Sequence, residues 1–540
     1  MNEIQIPALV QGFQPIKELY FDEEGREKLR LGINKIARAV ASTLGGRGNT
    51  VIIESSEHTH GLTVTKDGYS VARSIELSDS IENLAVRIMK QAAERTLTAS
   101  GDGTSSSIVL AEALIEAGFK YITPEVNRIE VLRELANLTE EVVSQLNKKK
   151  RKATKPLLRS VATIACNNDP KIGKIVADGY ISIGKNGFVT AEKSKTTETY
   201  SETTTGLRLR RGWTSPYFVN NQEREECIFE DVYILVCDTE IDNISQIVNI
   251  LDYLYSKNKS LLMIAPCTNQ AVATLSVNKL KKGLQVCNIQ PPEFGYRQNE
   301  LMSDIAISTG AKYFSEKTGD LMQNIVPADL GHAKRIVVGQ HETIIIKDDG
   351  ENPEVEKRIE ELTSAMNNST KKNEKDFLRE RIASLTGGVT IVYAGGNTDL
   401  EQKELFDRID DAVCAVRSAL EEGVVAGGGV ALFDIQLKES NLDNYNIAVK
   451  IMDVALKAPM IQILKNGGVD FTTLPYFNGR NRDIGSGYDV KTGNFGSMVD
   501  MGIIDPLKVC RCALENACSV AVTILSTNCI VTLARSYENR

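Results

Sequence analysis

A chain of 540 residues is too long for a single hydrophobic core and divides into two or three domains. Hydrophobic residues at 42% and charged residues at 25% are the proportions of a soluble globular protein, and 63 basic against 71 acidic residues leave a net charge of −8. That balance argues against a general nucleic-acid binder, and ten cysteines without a C-x-x-C pair fit reduced, buried thiols of a cytosolic protein better than a zinc site.

Residues 1–18 carry Pro7 and Pro15 and have no clear period, which suggests a loose extension. The first fifteen lack the basic-then-apolar order of a secretion signal, and no apolar run is expected to reach the ~18 residues of a membrane span. From Asp22 to about Leu44 the spacing of Leu29, Ile33, Ile36, Val40 and Leu44 predicts a helix, which stops at Gly45-Gly46-Arg47-Gly48. Such a glycine-rich break is either a helix stop or a place where backbone approaches a ligand. Strands follow at 50–54 and 62–65, with His58 and His60 between them expected on a wet strand or loop. Lys66-Asp67-Gly68 is then either a turn or a Lys and an Asp presented to a ligand. Helical periodicity resumes over 81–98.

That helix leads into Gly101-Asp102-Gly103-Thr104-Ser105-Ser106-Ser107, followed by a second helical segment. Two glycines admit close approach of backbone, and a helix starting near Thr104 aims unpaired N–H groups at the loop, which makes an anion site. Asp102 would repel a bare phosphate. A divalent cation between them reverses the sign, so Asp102 is a candidate Mg²⁺ ligand for a nucleotide. The competing account is a Gly-Asp-Gly turn with an ordinary hydroxyl N-cap.

The basic run Lys148-Lys149-Lys150-Arg151-Lys152 fits a solvated helix end better than a polyanion patch. Beyond it, 160–205 suggests a small α/β module with a turn at 184–187, and from Gly206 strands alternate with amphipathic helices, the signature of an α/β domain. Residues 348–380 suggest an exposed hairpin of helices. After Asp411 the chain is helical again through Gly423–Gly429 to its end. Helical outer thirds around an α/β middle imply that both termini build one domain into which the middle is inserted.

Taken together, Thr43-Leu44-Gly45, Thr65–Gly68, Gly101–Ser106, the stretch Arg211–Phe218, Asp329-Leu330-Gly331, Gly423–Gly429 and Met501–Pro506 resemble the group I chaperonins, the GroEL-like ring chaperonins, over nearly the whole chain. The resemblance implies a multidomain α + α/β fold. Its parts would be a helical equatorial ATPase domain (1–148 and 422–540), a small α/β intermediate domain (149–204 and 390–421) and an inserted α/β apical domain (205–389). It further implies that Thr43, Leu44, Gly45 and Lys66 line an ATP site, that Gly103, Thr104, Ser105 and Ser106 cradle phosphates, and that Asp102 holds Mg²⁺. Gly428, Asp489, Ile503 and Asp505 would surround adenine and ribose. Asp67 and Asp411 would align or activate the attacking water. K⁺ is a further candidate ion.

By the same resemblance Trp213, Tyr217, Phe218, Val248, Leu251, Val272 and Val277 would form an apolar wall for non-native polypeptides. Tyr217 and Phe218, adjacent beside Pro216, are expected to be exposed there. Movement is expected about glycines near Gly206, Gly388 and Gly423. The implied assembly is a homo-oligomeric ring, sevenfold, single or double, with a GroES-like co-chaperonin as a candidate partner and a bacterial or host cytoplasm as its place; no nucleic acid and no membrane enter as partners.

Three departures stand out: Ser276 where an aliphatic residue is typical, Asp489-Val490-Lys491 where the family has Asn-Ala-Ala, and Ile461 at a ring-to-ring position that carries Arg in bacterial members. Departures of this size are compatible with a viral or phage source. No Walker A pattern and no G-x-G-x-x-G occurs, which sets aside a P-loop enzyme and a dinucleotide enzyme. The remaining rival is a chaperonin-like scaffold that binds clients without ATP turnover.

Overall fold

The computed structural model describes residues 17–54, 62–183, 188–222, 224–315, 319–347, 352–369, 372–439, 442–474 and 483–533. The amino-terminal extension, His58, His60 and the 184–187 turn lie outside them.

Contacts group the chain into two compact units, one of Met1–Ala177, Lys193–Thr197 and Ala394–Arg540, the other of Asp178–Glu192 and Glu198–Tyr393. Both ends of the chain thus contribute to the first unit, and most of the middle forms the second. The expected intermediate segments divide between the two units, and strand pairing gives the reason. Phe188–Lys193, Tyr200–Leu209 and Gly388–Ala394 belong to the same nine-stranded sheet as Cys227–Cys237, Ser260–Ile264 and Val286–Ile289. The sheet curls strongly: Glu192 meets Arg335 at 2.6 Å although three strands separate theirs, which in a flat sheet would hold them roughly 19 Å apart.

The expected hinge glycines are explained by packing. Gly206 sits mid-strand opposite Ile346, where a Cβ would fall 2.4 Å from Val389 Cγ2. Gly388 faces Thr205 in the same sheet, and Gly423 ends the Asp399–Glu422 helix at φ 94°, with Arg151 O 2.6 Å from where its Cβ would be.

The first unit is built on six helices: Asp22–Ala41, Ser80–Ser100, Thr104–Tyr121, Arg128–Lys149, Asp443–Asn466 and Leu507–Ser526. Their apolar stripes, including Ile33, Ile36, Met89, Leu110, Leu114, Leu135, Met452 and Leu514, form one continuous core. The last helix is long and apolar enough by composition to span a bilayer, contrary to the expectation that no segment would be. Its Leu507, Leu514, Ala517, Ala521 and Ile524 are instead buried in this core. Lys17–Phe21 pairs antiparallel with Cys529–Leu533, and Val51–Glu54 pairs antiparallel with Leu62–Thr65. In the second unit the charged stretch after 350 forms the expected pair of helices, Pro353–Asn368 and Lys372–Thr386.

Candidate active site

The Ser80–Ser100 helix ends at Gly101, left-handed at φ 71°, and the next helix starts at Thr104 after Gly103, left-handed at φ 88°. Both conformations suit glycine, and both positions are crowded: a Cβ on Gly103 would fall 2.5 Å from Val509 Cγ1, and one on Gly101 2.3 Å from Cys414 Cβ. The backbone therefore turns tightly around Asp102. In the helix that follows, the first amide bonded to a backbone carbonyl is that of Ser107, which donates to Gly103 O at 3.0 Å. The amides of Thr104, Ser105 and Ser106 head the helix, where an anion is favoured.

Asp67 is not in a hairpin turn. It caps the helix Gly68–Ser74, its carboxylate accepting from the amides of Tyr69 at 3.0 Å and Ser70 at 2.7 Å. A Cβ on Gly68 would collide with Ser105 Oγ, so the absent side chain lets this cap reach the Ser105 loop. Thr43 Oγ1 lies 3.3 Å from Ser105 Oγ. The turn that carries Thr43 is held by Asn466, whose side-chain amide donates to Ala41 O and Leu44 O, both at 2.8 Å.

Asp411 arrives on the Asp399–Glu422 helix. That helix docks through Cys414 against Gly101 and through Ser418, whose hydroxyl donates to Ser100 O at 3.0 Å. The consequence is one cavity of about 680 Å³ inside the first unit. It is lined by Thr43, Leu44, Gly45, Lys66, Asp67, Asp102, Gly103, Thr104, Ser105, Ser106, Asp411, Gly428, Asp489, Ile503 and Asp505, which brings together every nucleotide, metal and catalytic candidate drawn from the sequence.

The electrostatics follow from burial and crowding of like charge. Desolvation pushes the Asp102 carboxyl up, helped by the charge of Asp67 and opposed by the Gly103 amide that donates to it. Asp411 is pushed well above the usual carboxylate range by desolvation and then by Asp102 and Asp67. Asp505 is pushed up to about 7 by burial and the charge of Asp102, against a hydrogen bond from the Gly428 amide. These acids lie close enough to repel one another, and added positive charge would relieve them.

Among the described residues no group of three or more His, Cys, Asp or Glu side chains is arranged to hold a metal ion by itself. Mg²⁺ takes one or two carboxylates and completes its shell with water and phosphate oxygens. A buried Asp102 carboxylate beside Asp67, with the Gly103 amide donating to it, has the chemistry to accept it.

Sequence reasoning missed Arg159, Arg408 and Asn168 on the cavity wall, and Asn466 behind it. Of these only Asn168 carries a local signal, an asparagine in left-handed backbone at φ 61°. Asp489 lines the cavity, but its carboxylate accepts from the Lys491 amide at 2.9 Å and the Thr492 hydroxyl at 2.7 Å.

The model of the TCP-1/cpn60 chaperonin family matches residues 36–265 and 267–535. The chain belongs to that family. Two structures of chaperonin gp146 from bacteriophage EL (Pseudomonas aeruginosa), obtained in the presence of ATP-BeFx, share this chaperonin's fold. Their TM-scores are 0.69 at 22% identity and 0.61 at 21%, each over 96% of this chain and 99% of theirs. Both the multidomain α + α/β architecture and the chaperonin resemblance read from the motifs are borne out.

The seven residues of the expected polypeptide wall do not all face solvent. Tyr217, Val248 and Val277 are 60%, 41% and 48% exposed, and Trp213 and Val272 are half-buried. Phe218 and Leu251 are buried in the core of the second unit, which corrects the expectation for both. Pro216–Phe218 is a 3₁₀ turn capped by Ser215, whose three residues per turn send Tyr217 out and Phe218 in. Leu251 lies on the inner stripe of the Val248–Ser256 helix with Ile250 and Leu254. Ser276 is buried as well, its hydroxyl satisfied by Val272 O at 2.8 Å and Ser215 Oγ at 3.3 Å.

Proposed function

We propose that this chaperonin is an ATP-hydrolysing molecular chaperone that captures non-native polypeptides on the exposed apolar residues of its second unit. The observation that carries the reading is the convergence of Asp67, Asp102 and Asp411 on the cavity headed by Thr104, Ser105 and Ser106.

Phosphoryl transfer to water needs alignment and charge compensation more than covalent chemistry. The amides at the Thr104–Tyr121 helix start and the hydroxyls of Thr43, Ser105 and Ser106 hold and orient a triphosphate, and Lys66, Arg159 and Arg408 line the same cavity as cations. Asp102 is the residue that would hold Mg²⁺, which when bound neutralises phosphate charge. Asp411, whose carboxyl is pushed up by burial and by the neighbouring Asp102 and Asp67, is the acceptor for a proton of the attacking water. Asp67 is held rigidly by its two amide bonds and orients that water. K⁺ is a further ion for the phosphate end.

Assembly into a homo-oligomer is supported by two short sheets whose edges are unpaired among the described residues and whose apolar faces are exposed. Leu19, Phe21 and Val531 are 50% exposed or more on one, and Ile52, Leu62 and Val64 are similarly exposed on the other. Edges of this kind invite a strand from a second copy. A heptameric ring, with or without a co-chaperonin, in a bacterial or host cytoplasm is the assembly this reading entails.

Phosphate release by the purified protein with ATP and Mg²⁺ tests the proposal. Wild type turns over, and Asp411→Asn retains nucleotide binding and ring particles in electron micrographs while losing turnover by about 100-fold or more. Binding of ATP without phosphate release by the wild type would leave the client-binding scaffold as the correct reading.

A further inference from the structure

The second unit buries two thiols in contact with each other. Cys227 heads the strand Cys227–Cys237 opposite Val338, and Cys287 lies in Val286–Ile289, two strands away across Ser260–Ile264. In a flat sheet strands so placed stand roughly 9.6 Å apart. Here the sheet closes on itself. The Trp213 amide donates to Gly339 O at 3.1 Å and the Thr214 amide to Asn288 O at 3.0 Å, so one short segment links the strand end beside Cys227 to the strand of Cys287. Both side chains consequently enter the same core, fully buried, and Cys287 donates a hydrogen bond to Cys227.

Lys279, on the helix Asn269–Lys282, completes the cluster. Its ammonium lies 3.8 Å from Cys227 Sγ, donates to Phe218 O at 2.5 Å and stands 5.0 Å from the centre of the Phe229 ring. The Cys227 sulfur thus faces two donors, one of them charged. The hydrogen bond from Cys287, with the Lys279 ammonium, holds the Cys227 thiol below its usual range despite burial, whereas burial pushes Cys287 well above it. A second couple in the same unit gives the contrast. Burial pushes Cys237 and Cys267 up, and their charged neighbours, Asp238 and Glu240, add to the effect.

We propose that Cys227 and Cys287 form a peroxide-sensitive dithiol that closes to a disulfide inside the second unit, with Cys227 as the attacking thiolate, Cys287 as the resolving thiol and Lys279 as the positioning cation. The Cys227 thiolate attacks one oxygen of hydrogen peroxide, the O–O bond breaks, and Cys227 becomes a sulfenic acid. The departing hydroxide takes up the proton that Cys227 had shed and leaves as water. The Cys287 sulfur then displaces the sulfenic hydroxyl, and its own proton completes a second water. Two thiols and one peroxide give one disulfide and two waters, the sulfurs oxidised and the peroxide oxygens reduced. Burial ordinarily leaves a thiol inert. At this position it selects for an oxidant of nearly water's size. Cys227 is the first residue of its strand, directly after the Asn221–Glu226 bridge, and strand ends open at lower free energy than strand centres.

The test is to treat the intact, folded protein with hydrogen peroxide, block remaining thiols in denaturant and map the peptides by mass spectrometry. A linked pair containing Cys227 and Cys287 is expected, with Cys237 and Cys267 still free; the exposed Cys529 reports that the oxidant acted. Cys287→Ser stops at the Cys227 sulfenic acid, which dimedone traps. Lys279→Met slows closure about tenfold, and Lys279→Arg, which keeps the cation, stays near the wild-type rate, with equal thermal midpoints of the reduced proteins as the folding control. Free Cys227 and Cys287 after Cys529 has been oxidised would overturn the proposal, as would a linkage that forms only in denaturant. A rate unchanged in Lys279→Met overturns the part given to the lysine.

Discussion

Gly101 and Cys414 are in contact where the Asp399–Glu422 helix meets the turn after Ser100, with no room between them for even one more carbon. This approach sets where Asp411, three residues before Cys414 on the same helix, meets Asp102, one residue after Gly101. Gly101→Ala therefore does two things: it places a Cβ 2.3 Å from Cys414 Cβ, and it asks alanine to adopt φ 71°. The strain is about 1–2 kcal/mol from the backbone alone. The larger expected effect is on chemistry, since displacement of a reacting group by about 1 Å costs on the order of 10²-fold. Phosphate release should fall by that order in Gly101→Ala while nucleotide binding persists, and Cys414→Gly in the same background should restore part of it. A fully active Gly101→Ala variant would show that this contact does not set the geometry.

Much of this site was legible because it is local. Gly101 to Ser107 carries its own turn chemistry and helix start, so the anion site followed from consecutive residues alone. The arrival of Asp411 did not, because it depends on the docking of Cys414 and Ser418 against a loop distant in sequence; only the family resemblance suggested it. Phe218 was misjudged for a different reason. Alternation distinguishes the faces of a strand, and Pro216–Phe218 is a 3₁₀ turn. Strand pairing is likewise encoded by no local pattern: Tyr200–Leu209 pairs with both Gly388–Ala394 and Thr343–Ile346, binding segments distant in sequence into one sheet.

The two neighbours in that turn give a sharp contrast. Phe218 is fully buried, so Phe218→Ala should destabilise the second unit by about 3–5 kcal/mol, seen as a lowered denaturation midpoint. Tyr217 is 60% exposed, so Tyr217→Ala should leave that midpoint within about 0.5 kcal/mol and weaken capture of a denatured client. Equal destabilisation by the two substitutions would contradict the placement.

The second unit also holds a closed ionic network. Arg381, 2% exposed, donates to both oxygens of Asp304 at 2.6 and 2.9 Å and pairs with Glu300 at 2.7 Å, while Arg358 bonds the same two acids. Removing Asp304 leaves the buried Arg381 with Glu300 as its one remaining acid among these pairs. Asp304→Asn should cost about 3–5 kcal/mol and loosen the helices Pro353–Asn368 and Lys372–Thr386, which faster amide exchange over 353–386 would reveal. Protection equal to that of the wild type would mean the network carries little of the local stability.

Glu112, on the helix that begins at Thr104, provides a test of pH dependence away from the phosphate site. Desolvation, reinforced by Glu116 and opposed by Lys465, pushes its carboxyl up to about 7. A carboxyl that holds its proton more tightly when folded supports stability at low pH and withdraws that support as pH rises. The loss begins near the unfolded value of about 4.3 and is complete just above 7. After allowance for the side chain's partial exposure, the penalty at pH 8 relative to pH 5 is about 1–2 kcal/mol. Glu112→Gln removes the titration, so variant and wild type should have similar thermal midpoints at pH 5 and separate as pH rises to 8, the glutamine variant being the more stable. Parallel midpoints across that range would show that Glu112 ionises in the folded protein as it does in the unfolded chain.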